Sequence, residues 1–286
     1  MRTVADALRE AEQTLTGAGI EGARFEATLL LGHVMGHSRA QLIAALSDPL
    51  SEEQVEKFAE LTARRAQREP LQYLRGYAPF LDFELEVGPG VLIPRPETEG
   101  LVARAIELWD PAVGSWAVDV GTGSGAIAIA LARAHPEGRV LGIDCSTEAL
   151  QMASRNAERL GVKSRVPLVQ GDYLRALDLA PDDIGIIVAN PPYIAHNDEV
   201  DPEVRHHEPR EAWSPGPTGL EGYQRIIPEA AALLRPGRCL VFEIGHGQED
   251  IISGIFDACG GWETPTADPD YRGMPRVLWA QKAQGS

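Results

Sequence analysis

The sequence predicts an α/β protein in which a parallel sheet, covered by helices on both faces, follows a small helical bundle. Three observations support this fold class: helical periodicity in the first quarter of the chain, a two-residue period before Pro94, and alternating strand-like and helix-like segments after it. Such alternation is typical of parallel strands joined by helical crossovers. We predict a helical domain at 1–75, a β-hairpin linker at 76–95 and an α/β domain at 96–286.

The predicted helical bundle extends from Thr3 to about Glu69. Apolar residues recur there every three or four positions, which is the spacing of one helix face. The first turns show the pattern with Val4, Leu8, Ala11 and Leu15. Ser51 and Gln54 have the spacing of a capping box, and Pro70 terminates the helix that they open.

The linker changes the period of the apolar residues. Apolar and acidic side chains alternate from Asp82 to Val87, which indicates a strand with one buried face. Gly88-Pro89-Gly90 then forms a turn signal before the apolar segment Val91-Leu92-Ile93. We therefore predict a β-hairpin built on these segments.

Beyond Pro94, short β-branched segments alternate with segments of helical periodicity. The predicted strands are Trp116–Val120, Val140–Ile143, Val166–Val169, Ile184–Ala189 and Cys239–Ile244, and the clearest helical segments are 125–134, 147–160 and 222–234. No helix separates the last two candidate strands, Trp262–Pro265 and Pro275–Ala280, so we expect an antiparallel hairpin at the sheet edge. The stretch 195–220 is the longest irregular one, and such loops are usually functional or mobile.

Composition narrows the function classes. The chain has 286 residues, 44% apolar and 24% charged, and a net charge of −16. A molecule with this charge repels phosphate backbones and anionic lipid surfaces, so we expect neither direct nucleic-acid binding nor membrane association. Arg64, Arg65 and Arg68 are the one local basic cluster, which we interpret as a solvated helix face in preference to a contact surface.

Cysteine and histidine spacing argues against disulfides and metal sites. Cys145, Cys239 and Cys259 are odd in number and far apart, so they fit a reducing compartment. His33 and His37 have the spacing of a metal pair but no evident third ligand. His206-His207 with Glu208 lies in the irregular stretch, and we interpret it as a mobile surface in preference to a partner contact or a metal site, so we predict no metal.

We expect no targeting segment at the start of this sequence. Charged residues from Asp6 to Glu10 interrupt the place where a signal peptide needs an apolar region. The longest uncharged apolar stretch, between Asp119 and Arg133, is too short to span a bilayer. We expect a cytoplasmic protein.

A glycine-rich turn connects a predicted strand to a predicted helix. Its residues are Gly121, Thr122, Gly123, Ser124 and Gly125. Glycines let a ligand approach the backbone in front of the helix N-terminus. Asp144 ends the next strand, where a ribose-binding acid is expected in nucleotide-binding folds, although such an acid also often caps the next helix.

The glycine spacing selects among nucleoside cofactors. It is GxGxG and not the GxGxxG of the NAD fingerprint, and no basic residue follows that would neutralise a pyrophosphate. An adenosine cofactor without phosphates, S-adenosylmethionine, fits better. Asp172 and Tyr173 follow the next predicted strand and are candidates to flank its adenine ring, against the alternative of an ordinary turn.

Asn190-Pro191-Pro192-Tyr193 follows the apolar strand at 184–189. Each proline fixes its own φ and restricts the residue before it, so Asn190 is held in a narrow backbone range. A planar NH₂ group needs two acceptors and a flat surface. The Asn190 side-chain oxygen and the Pro191 carbonyl can accept, and Tyr193 can stack.

These groups suit methyl transfer to an amide or an adenine amine. The lone pair of such a nitrogen is delocalised and must be aligned with the methyl carbon for attack. Acceptors that orient the NH₂ group also stabilise the positive charge that it gains. Asn190, Pro191 and Tyr193 are therefore the candidate catalytic residues, and Pro192 completes the substrate platform.

The chain resembles the release factor glutamine methyltransferases, the PrmC/HemK family, over nearly its whole length. The resemblance is carried by Pro70–Gly76, Leu92–Glu99, Gly121–Gly125, Asn190–Tyr193 and Phe242–Gly245. It implies a seven-stranded Rossmann-like class I methyltransferase domain behind an N-terminal helical domain that recognises the substrate protein. The expected reaction in translation termination methylates the side-chain nitrogen N5 of the glutamine in the Gly-Gly-Gln motif of class-1 peptide chain release factors.

By the same resemblance, the glycine turn and Asp144 bind the cofactor, and Asn190 contacts both cofactor and glutamine. We expect a monomer. Arg95, Glu97 and Glu99 fit a structural salt-bridge network as well as an active-site role. The alternative functions are adenine-N6 methylation of nucleic acid, non-catalytic S-adenosylmethionine binding and, more distantly, nicotinamide-dependent hydride transfer.

Overall fold

The computed structural model describes residues 2–284, and the chain divides into two compact units. The first comprises Met1–Tyr77 and Val200–Glu208, and the second comprises Ala78–Glu199 and Pro209–Ser286. This division differs from the predicted domain boundaries in two places. From Ala78 onward the hairpin segment groups with the α/β unit, where Phe80, Phe83 and Leu85 are buried, and residues 200–208 group with the helical unit.

Eleven helices and nine strands follow one another along residues 2–284. The helices are α1 (Val4–Gly17), α2 (Ala23–Met35), α3 (Arg39–Ala44), α4 (Glu52–Ala66), α5 (Leu71–Arg75), α6 (Thr98–Leu108), α7 (Ala126–Ala134), α8 (Thr147–Arg159), α9 (Pro202–His207), α10 (Glu221–Leu233) and α11 (Glu249–Cys259). The strands are β1 (Tyr77–Phe80), β2 (Phe83–Glu86), β3 (Trp116–Val120), β4 (Arg139–Asp144), β5 (Leu168–Gln170), β6 (Ile184–Ala189), β7 (Cys239–Glu243), β8 (Thr266–Pro269) and β9 (Pro275–Gln281). Short 3₁₀ turns occupy Lys163–Arg165, Tyr173–Ala176, Pro181–Asp183 and Arg210–Ala212.

The helical unit is held together by the apolar faces that the periodicity predicts. Val4, Leu8, Ala11 and Leu15 are all buried in its core. The predicted capping box is confirmed: Ser51 Oγ accepts from Gln54 N at 3.2 Å, and Ser51 N donates to Gln54 Oε1 at 3.0 Å.

The basic cluster Arg64, Arg65 and Arg68 begins in the last turn of α4 and is not solvated throughout, because Arg65 is buried. This side chain is buried, with Nε donating to Glu26 at 2.5 Å and Nη1 donating to Glu203 of α9 at 3.0 Å. Arg68 donates to the same Glu203 oxygen at 3.0 Å. The expectation of a solvated cluster is therefore wrong for Arg65, because acids distant in sequence return to α4 and pair with it. Arg64 pairs with the nearby Glu69.

The hairpin exists but pairs different segments from those predicted. Its strands are β1 and β2, joined by a turn at Leu81-Asp82, and Val91–Ile93 forms no strand. Leu81 has φ +51°, in the left-handed region where glycine or asparagine is the usual turn signal, so no local residue pattern indicates this turn. Val91 and Ile93 are each only 2% exposed, so their apolar side chains reflect burial in the core and not strand pairing.

Among the described residues, seven strands form the main sheet in the order β5-β4-β3-β6-β7-β9-β8. The first five are parallel, and β9 runs antiparallel to both β7 and β8. Residues of α6, α7 and α8 bury one face, and residues of α10 and α11 bury the other. All six residues of β6 are buried, as expected for a central parallel strand. The predicted fold class is confirmed.

Two local expectations in this unit are corrected. The edge hairpin is present, but its first strand is β8, not Trp262–Pro265. Trp262 makes only an isolated bridge to Lys282, and Pro265, which lacks an N–H, lies between this bridge and the ladder. Residues 195–220 are also less irregular than expected, since they contain α9 and the turn at Arg210–Ala212. No helix in residues 2–284 is long and apolar enough to cross a bilayer.

Candidate active site

The strand register aligns four polar or glycine positions at the carboxyl edge of the sheet. Val120 pairs with both Ile143 and Ala189, and Ala189 pairs with Phe242. The residues that come next in the four strands are Gly121, Asp144, Asn190 and Glu243. Neighbouring strands lie about 4.8 Å apart, so these residues form one row across the sheet. Ligands of open α/β sheets bind at this edge.

The glycine turn and Asp144 are connected through the backbone. Gly123 N donates to Asp144 Oδ2 at 2.9 Å, and Ser146 N donates to Asp144 Oδ1 at 2.9 Å. Gly121 has φ +77°, and a Cβ placed there would meet no atom within 4 Å, so open space faces its backbone. Gly125 has φ +86° and is packed tightly, since a Cβ there would lie 3.0 Å from Ile129.

The two hydroxyl side chains of the turn point into the protein. Thr122 Oγ1 donates to Asp119 Oδ2 at 2.6 Å, and Ser124 is only 3% exposed. Burial raises the pKa of Asp119 to about 7, against the opposing effects of the Thr122 hydroxyl and the Ala128 N–H. Asp119 Oδ1 has no hydrogen-bond partner among the described residues. An acceptor of this kind below an open glycine backbone fits a ligand that carries a cationic amino group.

Asp172 and Tyr173 lie together after β5, and both contact Arg225 of α10. The two Arg225 Nη atoms donate to Asp172 at 2.9 and 2.7 Å, and the guanidinium lies 4.4 Å from the centre of the Tyr173 ring. Tyr173 is half-buried with φ +56°, a strained conformation for a residue with a side chain. Strain of this kind clusters at ligand sites, although Arg225 already contacts the ring.

Asn190 is bound by two side chains from other elements. Its Nδ2 donates to Glu243 Oε2 at 2.9 Å and to Thr98 Oγ1 at 3.1 Å. Thr98 Oγ1 itself donates to Glu243 Oε2 at 2.6 Å. Burial raises the pKa of Glu243, while the charge of Arg276 and the hydrogen bond from Thr98 oppose the increase.

Tyr193 joins the same network. Arg276 Nη2 donates to the Tyr193 hydroxyl at 2.9 Å and lies 3.2 Å from Glu243 Oε1. The Arg276 guanidinium is 5.2 Å from the centre of the Tyr193 ring. Burial and the nearby Glu243 charge raise the pKa of Tyr193 to about 12, so the phenol is neutral.

The segment before α6 contributes structure and charge. Glu99 Oε1 accepts from Leu81 N at 2.8 Å, which ties α6 to the turn of the hairpin. The charge of Glu97 acts on both Glu243 and Arg276, and that of Arg95 acts on Tyr193. Glu99 therefore has a structural contact, whereas Arg95 and Glu97 lie in the electrostatic surroundings of the Asn190 network.

Comparison with known proteins agrees with this architecture. Residues 6–76 match the PrmC N-terminal domain, and residues 113–213 match a methyltransferase domain. The chain is 40% identical over 284 residues to the release factor glutamine methyltransferase of Moorella thermoacetica, covering 99% of each protein. The corresponding protein of Geobacter sulfurreducens is also 40% identical, over 92% of this chain and 91% of that protein.

The chain belongs to the release factor glutamine methyltransferase family.

Membership makes the protein an S-adenosylmethionine-dependent methyltransferase, so the predicted enzyme class and cofactor are confirmed. A solved methyltransferase from Pyrococcus furiosus shares the fold, with a TM-score of 0.52 and 19% identity over 70% of this chain and 89% of that one. Across the described residues, no group of three or more potential metal ligands is found.

The structure brings three further residues to the Asn190 network, and the sequence analysis gave none of them a role. Thr98, Glu243 and Arg276 come from α6, β7 and β9. Glu243 carried a usable signal, since it is an acid that directly continues an apolar strand beside the strand of Asn190. Thr98 carried only its place in the family segment Leu92–Glu99, and Arg276 carried no signal, because their positions depend on how α6 and the edge strand pack.

Proposed function

We propose that this protein transfers a methyl group from S-adenosylmethionine to the side-chain nitrogen N5 of the glutamine in the Gly-Gly-Gln motif of class-1 release factors. The observation that carries the proposal is the fixed Asn190 amide, held next to the row of Gly121 and Asp144 by Glu243 and Thr98. The names of the relatives support the same substrate.

The cofactor is held at the β3 and β4 side of the edge. The Asp144 carboxylate binds the ribose hydroxyls, and the backbone of Gly121–Gly125 lies against the amino-acid part. Asp172 and Tyr173 bind the adenine ring from the end of β5, with Arg225 supporting them. When bound, S-adenosylmethionine supplies an electrophilic sulfonium methyl group.

The substrate amide binds at the β6 side. The Asn190 Oδ1 and the Pro191 carbonyl accept its two N–H groups, while Pro192 keeps the segment rigid. Tyr193 packs against the amide plane with the ring face that Arg276 does not contact. These groups align the nitrogen lone pair with the methyl carbon, which lowers the entropic part of the barrier.

The transfer balances without a metal or a redox partner. The amide nitrogen forms a bond to the methyl carbon as the carbon–sulfur bond breaks, and the sulfur leaves as a neutral thioether. The nitrogen becomes positively charged, and the two acceptors stabilise this charge. It then loses one N–H proton to water, because an alkylated amide cation is a strong acid. No general base is needed.

The proposal is tested with labelled S-adenosylmethionine and three acceptors: a class-1 release factor, the same factor with the Gly-Gly-Gln glutamine changed to alanine, and double-stranded DNA. We expect label on the first acceptor only. Equal labelling of both release factors, or labelling of DNA, would contradict the proposal. Mass spectrometry of a tryptic peptide then locates the added methyl group on the glutamine side chain.

The proposed substrate also indicates the cellular location and the partner of this enzyme. Release factors act in the cytoplasm, so we propose the same location for this protein. The proposed partner is the protein substrate, without direct contact to nucleic acid or membrane, and we propose that the enzyme acts as a monomer. Sedimentation of the purified protein tests the monomer.

A further inference from the structure

We propose that Glu243 and Thr98 are positioning residues that determine which end of the Asn190 amide faces the substrate. The inference rests on the proposed function, in which Asn190 Oδ1 accepts an N–H group of the glutamine. It assigns a task to a buried acid and a buried hydroxyl that do not themselves touch the reacting atoms.

Hydrogen-bond chemistry fixes the orientation. An ionised carboxylate only accepts, so the Asn190 group 2.9 Å from Glu243 Oε2 must be the NH₂ group. The Thr98 hydroxyl donates its single proton to Glu243 and therefore also accepts from Asn190. Nδ2 therefore faces Glu243 and Thr98, and Oδ1, at the other end of the planar amide, faces away from Glu243.

The register of β6 and β7 places Asn190 next to Glu243. Asn190 and Glu243 each come one residue after the paired Ala189 and Phe242, so their side chains leave neighbouring parallel strands at the same level. Thr98, at the first turn of α6, is 4% exposed, and Glu243 is fully buried. Both side chains are shielded from solvent, so a flipped amide would set Asn190 Oδ1 against the Glu243 carboxylate, which leaves two acceptors facing each other.

Charges around Glu243 decide whether it remains an acceptor. Arg276 from β9 favours the carboxylate, and Glu97 beside α6 opposes it. Tyr193 donates its hydroxyl to Oε1 at 3.4 Å, and the neutral Tyr223 from α10 donates to the backbone carbonyl of Glu243 at 2.9 Å. Because burial raises the pKa of Glu243, the carboxyl group protonates at a higher pH than an exposed glutamate.

Protonation would convert the acceptor into a donor. A protonated Glu243 bonds best to an Asn190 oxygen, which turns the amide over and presents NH₂ to the substrate NH₂. Two donors cannot hydrogen-bond, so kcat should fall as pH decreases through the raised pKa. Cofactor affinity should change far less, because, apart from Asn190, the groups proposed to bind the cofactor lie at or after the ends of β3, β4 and β5.

The first test is Glu243→Gln, which keeps the shape and removes the fixed acceptor. We expect kcat for the release factor to fall about 100-fold. The acid limb of the kcat–pH profile should disappear, and the Kd of S-adenosylhomocysteine should change less than about threefold. Wild-type kcat, or an acid limb that persists in the variant, would overturn the proposal.

The second test uses Thr98 and does not depend on how Glu243→Gln folds. Thr98→Val keeps the shape but removes the hydroxyl, so kcat should fall about tenfold, whereas Thr98→Ser should restore most of it. Glu99→Gln, one residue away in α6, is the matched control and should retain wild-type kcat. Equal kcat values in the valine and serine variants would overturn the role of the hydroxyl.

A measurement without substrate separates this proposal from the proposed function. In wild-type protein, the Asn190 side-chain NH₂ protons should exchange slowly with solvent, as seen by NMR, and exchange should accelerate in Glu243→Gln. If the wild-type protein labels no release factor while this protection is present, the proposed function fails and the orientation stands. If label transfer is normal and the protons are unprotected, the orientation fails and the function stands.

Discussion

The two halves of the site are built in different ways. On the β3 and β4 side, hydrogen bonds involve backbone N–H groups or residues near in sequence: Gly123 N binds Asp144, and Thr122 binds Asp119 three residues away. On the β6 and β7 side, side chains bind side chains that are far apart in sequence. Asn190 contacts Glu243 across 53 residues and Thr98 across 92 residues.

This difference separates two tasks. A backbone cradle with one acid can bind a cofactor whose shape is constant, and its geometry follows from glycine conformations and strand ends. A reactive amide needs an acceptor of defined orientation, and only neighbouring side chains can define it. Changes on the first side should therefore act on cofactor affinity, and changes on the second side should act on turnover.

The largest expected effect comes from Asn190→Ala. Loss of the acceptor for the substrate amide should lower kcat by about 10²–10³-fold, the range for one oriented hydrogen-bonding group that stabilises a transition state. The Kd of S-adenosylhomocysteine, measured by calorimetry, should change less than about threefold. A near-normal kcat would remove Asn190 from the mechanism and with it the separation of tasks.

In contrast to Asn190→Ala, Asp144→Ala should weaken cofactor binding and leave kcat nearly unchanged. A hydrogen bond to a charged group contributes roughly 1.5–3 kcal/mol, so the Kd of S-adenosylhomocysteine should rise about 10–100-fold. At saturating cofactor, kcat should remain within about threefold of wild type. Asp182→Ala, which removes an exposed acid paired with Arg235, is the control and should change neither quantity. An unchanged Kd in Asp144→Ala would contradict its role.

Alanine substitutions at two glycines of the same turn should have different effects on stability and on cofactor binding. Gly125→Ala places a methyl group 3.0 Å from Ile129 and 3.2 Å from Ala153 at positive φ, so the free energy of unfolding should fall by about 2–4 kcal/mol. Gly121→Ala meets open space and should cost only the backbone strain, about 1–2 kcal/mol, while it weakens cofactor binding.

Urea denaturation measures both unfolding free energies, and calorimetry measures the cofactor affinity of each variant. If Gly121→Ala destabilised the protein as much as Gly125→Ala and bound S-adenosylhomocysteine normally, the open space above Gly121 would have no function in binding.

Tyr223→Phe should have the smallest effect. The buried Tyr223 hydroxyl donates to the Glu243 carbonyl at 2.9 Å, and its loss should lower the free energy of unfolding by about 1 kcal/mol. The Glu243 carboxylate keeps its own partners, so kcat should stay within about twofold. A large loss of kcat with unchanged stability would show that the backbone of β7, and not only its side chain, controls Asn190.

The sequence predicted most of the fold because its signals are local. Buried parallel strands appear as β-branched segments, and β6 was predicted with both ends correct as Ile184–Ala189. The hairpin was misplaced because its turn at Leu81 lacks the residues that normally mark a positive φ. The edge strand was shifted because aromatic and threonine content at 262–265 resembled a strand that the ladder does not include.

In the candidate site, too, residues with a local sequence signal were predicted and residues placed by tertiary packing were not. Gly121–Gly125, Asp144 and Asn190 were recognised because each directly follows a predicted strand. Glu243 is marked in the sequence as an acid that ends an apolar strand within a family motif, but nothing connects it to Asn190 until the strand order β6-β7 is known. Arg65 was misjudged for the same reason, since its partner Glu203 lies 138 residues away in sequence.

The pairing of Arg65 with Glu203 limits how this protein can be divided. Because residues 200–208 belong to the helical unit, the chain crosses between the units after Tyr77, after Glu199 and again after Glu208. A chimera that exchanges only an N-terminal fragment between two relatives would combine one helical bundle with the α9 of another. Recombination that preserves the fold must transfer α9 together with α4, so that Arg65 and Glu203 come from the same parent protein.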